Sequence, residues 1–268
     1  MPSFKLPLVS LFCWALTAQI FAEDLRVYTS VYDISQSENE PKRISDSLTL
    51  FHAGKVYDYM EGVGEVVIFE PAHHRFIILR DFTATEVSFS ELNHFLESAK
   101  VKAEEYIGEL SVINDPNATK TAAAVRFQLA PQFQTKFDAG LLTMQGGYMN
   151  YLVKSASAES DNALNQYLEY ADWASRLNYV LHNRSAFPAS RLKLNEELRK
   201  HRALPTRVEL TMQQDRTYHL RADHKFEWKI QTLDKQLITH WERVLHSDQV
   251  AWVTFHQYQQ KLIAQQER

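Results

Sequence analysis

The sequence has a single cysteine, Cys13, and few residues that interrupt regular structure. Seven glycines and eight prolines among 268 residues argue against long disordered or low-complexity linkers. Cys13 lies in an apolar stretch near the amino terminus. A chain that loses this stretch has no disulfide, no thiol nucleophile and no cysteine-bound metal. A lipid anchor on Cys13 is not expected, because Phe12 stands where a lipoprotein has a small residue.

Long apolar runs are missing too, apart from a short one at the start. Lys5 precedes the mostly apolar residues 6–16, and a more polar stretch then ends on Ala22, which is the pattern of a secretory signal peptide. The run is about half of the roughly 20 residues that a membrane-spanning helix needs. We therefore predict a signal peptide at 1–22 and an exported mature chain, 23–268. Its lack of disulfides favours the periplasm or exterior of a bacterium.

No strong excess of one charge is present. The formal net charge is −4, and loss of Lys5 with the leader makes it −5. This mild acidity does not suggest nucleic acid or an anionic membrane surface as a partner. No second apolar run approaches membrane length, so no integral membrane segment is expected after cleavage. Without internal repeats or breaks in composition, residues 23–268 are predicted to form a single α+β domain.

The sequence also lacks the common catalytic motifs: a Gly-x-Ser-x-Gly elbow, a phosphate-binding loop and a dinucleotide-binding turn. Glu70, His73 and His74 could bind zinc in a metal-dependent hydrolase. The two histidines are adjacent in a predicted strand turn, however, and would point in different directions. Asp223 and His224 could supply a general base, but a hairpin turn explains them as well. The prediction is no catalytic residue, no metal and no cofactor, with the hydrolase as an alternative.

The first half of the mature chain has the pattern of short strands. Strands are predicted at 25–34, twice within 47–60, at 65–70 and at 75–80, and their connections are too short for parallel crossovers. A helix capped by Ser90 follows and ends near Gly108. Further strands are predicted at 124–129, 134–137, 141–145 and 148–153, with Gly146-Gly147 as a two-residue hairpin turn.

The second half alternates helices and strands. Helices are predicted at 161–182 and 188–201, and strands at 207–212, 217–222 and 225–230. Two helices close the chain, one from Leu233 to Leu245 and one capped by Ser247. The predicted fold class is α+β: an antiparallel curved sheet, a half-barrel-like meander, packed against several α-helices.

Aromatic residues recur on the predicted strands and at their ends. Those considered as candidates for the lining of a ligand cavity are Tyr57, Tyr59, Phe69, Phe76, Phe127, Phe137, Tyr148 and Tyr151. One interpretation is a filled core between sheet and helices. The other is a sheet that closes only partly over the helices and leaves an aromatic-lined cavity for an apolar ligand.

Three segments carry a resemblance in the order of elements: SLTLFHAGKVYDYM, EVVIFEPAHHRFIILR and LPTRVELTMQQDRTYHLRADHKFEWKI. With the leader and the closing helices, they resemble the LolA-type lipoprotein carriers of the bacterial envelope. The resemblance implies a curved sheet around a few helices, with acyl chains bound between them. This chain is longer and has extra helices at 161–201 and 233–265, which could fill that space. The resulting hypothesis is a non-enzymatic envelope protein that binds an apolar ligand or lipidated partner. A structural or protein-interaction module is the alternative.

Overall fold

The computed structural model describes residues 23–36, 40–182, 185–213 and 217–266, without the side chains of residues 265 and 266. The predicted signal peptide, residues 1–22, lies outside the described residues. Within these ranges the chain forms twelve β-strands and six α-helices.

The strands are β1 (Leu25–Asp33), β2 (Lys42–His52), β3 (Lys55–Met60), β4 (Glu65–Glu70), β5 (Arg75–Arg80), β6 (Thr83–Ser88), β7 (Gln134–Asp138), β8 (Leu141–Gln145), β9 (Met149–Ser157), β10 (Ala203–Gln213), β11 (Thr217–Glu227) and β12 (Ala251–Trp252). The helices are α1 (Phe89–Ser111), α2 (Pro116–Leu129), α3 (Asp161–Leu181), α4 (Ala189–Lys200), α5 (Thr232–Leu245) and α6 (Phe255–Gln266).

All strands belong to one open, curved sheet in the order β12-β6-β5-β4-β3-β2-β1-β11-β10-β9-β8-β7. Every pairing is antiparallel except that of β12 with β6. Strands β1–β6 form a meander by short turns; the first five of these strands were predicted, whereas β6 was not. The two halves of the chain join in the middle of the sheet, where β1 pairs with β11. The predicted fold class, an antiparallel curved sheet packed on helices, is confirmed.

We call one face of the sheet the inner face; it carries the larger core. Side chains such as Val27, Phe69 and Val153 form a continuous buried cluster there with residues of α1, α3, α4 and α6. Leu168 of α3 and Leu194 of α4 are completely buried in this cluster. Helices therefore cover much of the inner face, and the apolar surface buried between them and the sheet stabilises the fold.

The opposite, outer face has its own smaller core beneath α5. Because side chains alternate along a strand, Tyr57, Ile68 and Ile77 point to this face, where they pack with Ile238 and Trp241 of α5. Strand β4 lies between the two cores, and all six of its residues are buried. Burial on both faces explains its nearly uninterrupted apolar sequence.

Helix α2 replaces the strand predicted at 124–129. Asp115 caps it, since its side chain accepts a 2.9 Å hydrogen bond from the Asn117 amide, and Pro116 occupies the first helical position. Ala118 and Ala122, four residues apart, are buried against α1. The strand prediction was wrong because alanine favours a helix and because Asp115 and Pro116 form a helix start.

Strand β11 is continuous, so the predicted hairpin turn at Asp223-His224 was wrong. The polar pair is accommodated within the strand because its side chains find partners on neighbouring strands. Asp223 accepts a 2.6 Å hydrogen bond from Arg207 of β10. His224 Nδ1 lies 2.9 Å from Thr29 Oγ1 of β1. Polar residues in the middle of a sequence segment thus did not mark a turn.

Smaller differences concern caps and one turn. Ser88, not Ser90, caps α1, and Glu91 completes a capping box. The last helix begins after Thr254, whose hydroxyl accepts from the Gln257 amide, rather than at Ser247. The hairpin between β8 and β9 turns one residue later than predicted, because the Gly146 amide donates to the Met149 carbonyl at 3.1 Å.

Candidate functional site

Two of the four tyrosines among the aromatic candidates, Tyr57 and Tyr59, lie on the outer face, under α5. The rings of Tyr57 and Tyr59 have centroids 6.1 Å and 5.2 Å from that of Trp241. The hydroxyl of Tyr57 donates to Glu242 Oε1 at 2.7 Å. These contacts attach α5 to the sheet, and they separate both tyrosines from any space on the inner face.

Phe69 and Phe76 lie together on the inner face, with ring centroids 5.1 Å apart. Both are almost completely buried, and the ring of Phe89 from α1 stacks 5.5 Å from that of Phe69. Tyr170 of α3 completes the group at 5.8 Å. This part of the inner face is a closely packed aromatic core, as the first interpretation expects.

The remaining four candidates lie towards the β7 edge of the sheet. Phe127 of α2 is 6.0 Å from Tyr148 by ring centroids. Phe137 of β7 stacks on His201 at 4.1 Å. Tyr151, on the inner face of β9, is the one candidate that borders the cavity described next. The structure therefore distributes the eight aromatic residues over three regions.

An open cavity of about 270 Å³ lies between the inner face and the connection from α3 to α4; we call it the inner cavity. Its sheet side is apolar and is formed by residues of three adjacent strands: Val31 of β1, Val208 and Leu210 of β10, and Leu220 and Ala222 of β11. Within the part of the chain that the structure describes, these are aliphatic side chains that the helices do not fully cover.

The opposite side of the inner cavity is formed by helical residues. Ser175 and Asn178 border it from α3, and Phe187 and Pro188 lead into α4. The connection is fixed to α2, because the Phe187 amide donates to Gln128 Oε1 at 3.2 Å. Arg191, in the first turn of α4, is the basic side chain among these residues. The cavity thus combines an apolar floor with the guanidinium of Arg191 at its wall. Arg221 of β11 also borders the cavity, but its Nε atom lies 3.2 Å from Asp223 Oδ2 and is therefore paired with a carboxylate.

The guanidinium of Arg191 is close enough to several inner-face groups to affect their protonation. Burial raises the pKa of Tyr151 to about 12, and the positive charge of Arg191 offsets part of this rise. Burial, assisted by the charge of Arg191, lowers the pKa of His224 to about 3. His224 is therefore uncharged at neutral pH, and its Nε2 atom is buried without a hydrogen-bond partner among the described residues.

A larger groove of about 980 Å³ lies on the outer face, between α5 and the end of the β3–β6 meander. Its charged groups pair with one another: Lys55 Nζ lies 2.7 Å from Glu70 Oε1 and 2.8 Å from Glu242 Oε1. Arg75 lies 2.8 Å from Glu70 and 2.6 Å from Glu86. Burial alone would raise the pKa of Glu70, but the hydrogen bonds from Lys55 and Arg75 outweigh burial and lower it. This network attaches α5 to the sheet.

The alternative metal site is not formed. Glu70 and His73 approach to 3.3 Å at the outer groove, whereas the ring of His74 packs against Phe89, with centroids 5.8 Å apart. Among the residues that the structure describes, no group of three histidine, aspartate or glutamate side chains could hold a metal ion. The adjacent histidines diverge because His74 adopts a left-handed conformation, with φ of 51°, at the end of a short 3-10 turn.

Asp223 and His224 do not form a catalytic pair. As neighbours in a continuous strand they point to opposite faces. Asp223 binds Arg207 on the outer side, and His224 lies against Thr29 on the inner side. The proposed general base therefore lacks its carboxylate partner.

Sequence reasoning missed Arg191. The available signal was its position just after Pro188, because the first turn of a helix favours acidic residues, and α4 has none there. A cation at this end of a helix is unfavourable by itself. Such a residue suggests a role that helix stability does not explain.

Comparison of the chain with models of protein families and with curated proteins finds no match. No helix among the described residues is both long and apolar enough to cross a membrane.

Proposed function

We propose that this chain is an exported, non-enzymatic protein of the bacterial envelope that binds an apolar ligand, or an acyl chain of a lipidated partner, in the inner cavity. The observation that carries the proposal is the apolar floor of an open cavity in an otherwise closely packed inner face. Exposed aliphatic surface is unfavourable in water, at about 25 cal/mol per Å², so a ligand that covers it gains that free energy.

The size of the cavity limits the ligand. Pockets for drug-sized molecules measure roughly 300–1,000 Å³, and the inner cavity, at about 270 Å³, lies near the lower limit. Leu168, Leu194 and Leu198 of α3 and α4 fill neighbouring space and are completely buried. We therefore propose a ligand with one slender apolar chain rather than several.

Export is part of the proposal. The first described residues already belong to the fold: Ser160 Oγ donates to Glu23 Oε2 at 2.6 Å, and His52 Nδ1 lies 2.8 Å from Asp24 Oδ1. Strand β1 begins at Leu25, so cleavage after Ala22 would leave the sheet intact. Expression of the full sequence in a Gram-negative host, followed by amino-terminal sequencing of the periplasmic fraction, should give Glu23 as the first residue. Recovery of an uncleaved cytoplasmic chain would contradict export.

The binding test uses N-phenyl-1-naphthylamine, an uncharged apolar dye that fluoresces in apolar sites. Delipidated protein should bind about one dye molecule per chain. Ala222→Phe, which fills the cavity from its floor, and Ser175→Phe, which fills it from α3, should each abolish binding. Ala264→Phe, at an exposed position of α6, adds the same aromatic group elsewhere and should leave binding unchanged.

Thermal unfolding of each variant separates loss of the cavity from loss of the fold. Two substitutions on opposite walls keep the test decisive if one of them prevents folding. Unchanged dye binding in a folded Ala222→Phe or Ser175→Phe protein would overturn the proposal. Native mass spectrometry of gently purified protein provides a second test, since a co-purifying apolar molecule should appear as added mass.

A further inference from the structure

Arg191 borders the inner cavity without a balancing negative charge. Its Nε donates a 3.1 Å hydrogen bond to the neutral amide oxygen of Asn195. Among the described residues, no carboxylate lies within 4.0 Å of its guanidinium. Nearby arginines differ, since Arg199 pairs with Asp172 and Arg207 pairs with Asp223. A half-buried cation without a carboxylate partner is costly, so its position requires an explanation.

Other groups around Arg191 make the region more positive and richer in hydrogen-bond donors. Helix α4 starts at Ala189 without a side-chain cap and without an acidic residue in its first turn, so the positive end of its dipole is not compensated. The hydroxyl of Ser190 is buried and has no partner among the described residues. His224 Nδ1 is occupied by Thr29, whereas Nε2 is not satisfied. The uncompensated helix end and the Ser190 hydroxyl complement an anion, whereas the role of His224 Nε2 depends on the tautomer of the ring.

We propose that the ligand of the inner cavity is an amphiphile with a single negatively charged head group, which pairs with Arg191 while its apolar chain lies against Val208, Leu210 and Leu220. The inference rests on the proposed function and specifies the class of ligand. A guanidinium presents parallel N–H groups that match the two oxygens of a carboxylate or phosphate. Pairing at the wall of an apolar cavity would also supply the negative charge that Arg191 lacks.

The test compares ligands of equal chain length and different head groups. Dodecanoate, dodecyl phosphate and dodecanol are titrated below their micelle concentrations at pH 8, and displacement of N-phenyl-1-naphthylamine gives each affinity. At least one of the two anions should bind about tenfold or more tightly than dodecanol, as expected for a charge-assisted hydrogen bond. The anion that binds more tightly identifies the head group.

Three variants test whether Arg191 causes the preference for an anionic head group. Arg191→Gln should reduce the affinity for the anion about tenfold and leave that for dodecanol unchanged, whereas Arg191→Lys should retain part of the preference because it keeps the charge. Arg207→Gln removes a paired arginine on the outer face and should have no effect on either affinity. Thermal unfolding confirms that each variant is folded.

The outcomes separate this inference from the function on which it rests. If dodecanol and both anions bind equally, and Arg191→Gln changes none of them, the anionic head group is excluded while the apolar site stands. If neither the dye nor any of the three ligands binds the folded wild-type protein, the proposed function itself fails. A preference for the anion that persists in folded Arg191→Gln protein would also overturn the role of Arg191.

Discussion

The hydroxyl of Tyr170 on α3 donates a 2.8 Å hydrogen bond to Asp58 Oδ2 on β3, across the inner face. Thr49 donates to the other carboxylate oxygen at 2.9 Å. Burial raises the pKa of Asp58, and the hydrogen bonds from Tyr170, Thr49 and Ser47 only partly oppose this. A buried carboxylate without a basic partner among the described residues thus depends on neutral donors, and one of these connects α3 to the sheet.

Tyr170→Phe should therefore lower the free energy of unfolding by about 1–3 kcal/mol at pH 7, the cost of removing a donor from a buried acceptor. The loss should be smaller at acidic pH. The folded-state pKa of Asp58 lies above the ordinary value, so the carboxyl is protonated at acidic pH. A neutral carboxyl depends less on the hydrogen bond from Tyr170. Urea denaturation at pH 7 and pH 4 measures both values.

Tyr179→Phe is the matched control on the same helix, because its hydroxyl makes no hydrogen bond within the described part of the chain. Its ring contact with Phe187, at a centroid distance of 5.1 Å, is kept. This substitution should change stability by less than about 0.5 kcal/mol. Equal effects of the two substitutions, or an effect of Tyr170→Phe that grows on acidification, would contradict this view of Asp58.

Two adjacent glycines in the β8–β9 hairpin offer a second prediction. A Cβ atom added to Gly146 would lie 2.8 Å from Phe127 Cε2 and 2.9 Å from the Met149 carbonyl oxygen, whereas one added to Gly147 meets no atom within 4 Å. Gly146→Ala should destabilise the protein by about 1–3 kcal/mol through overpacking, and Gly147→Ala should have little effect. Thermal or urea unfolding of the two variants measures the difference in stability between them. Similar stabilities would show that the Phe127 ring moves aside without loss of stability.

The Gly146 contact illustrates what the sequence could not predict. The glycine pair indicated a hairpin, and a hairpin is present, but the reason for glycine at 146 is the approach of Phe127 from α2. That residue was assigned to a strand. Local patterns predict turns and alternation well, but not which distant element packs against them.

The distribution of the aromatic candidates follows the same logic. Alternation along β3, and its register with β4, place Val56 opposite Phe69 and Tyr57 opposite Ile68. Once this register is known, alternation in the sequence assigns Tyr57 and Phe69 to different faces. It could not show that α5 covers one face while α1, α3, α4 and α6 cover the other, because amphipathic helices of similar composition suit either face.

The inner cavity depends on contacts distant in the chain. Its floor combines β1 with β10 and β11, which are separated from β1 by more than half of the sequence, and its wall includes the first turn of α4. Each of these segments is ordinary when it is considered alone. The basic residue Arg191, just after Pro188, could have indicated that α4 contributes to a site, but its meaning required the position of the sheet.

His224 supplies the last prediction, a specific dependence of stability on pH. Its pKa is about 3 in the folded protein because burial and the charge of Arg191 disfavour the imidazolium form, against about 6.5 in an unfolded chain. Between these values the unfolded state binds one more proton than the folded state. Stability must therefore fall as the pH decreases from 6.5 towards 3, at a maximum of about 1.4 kcal/mol per pH unit.

Glutamine cannot take up a proton, so His224→Gln removes this difference between the folded and unfolded states. Between pH 6.5 and pH 5 the free energy of unfolding should therefore fall by about 2 kcal/mol more for the wild-type protein than for His224→Gln protein. Urea denaturation of both proteins at several pH values gives the difference, and other titrating groups cancel because they are common to both. His94→Gln, at an exposed position of α1, tests whether loss of any imidazole has this effect and should give a profile parallel to that of the wild type. A parallel profile for His224→Gln as well would mean that His224 accepts a proton in the folded state, and that the inner face beside Arg191 is more open to water than its burial indicates.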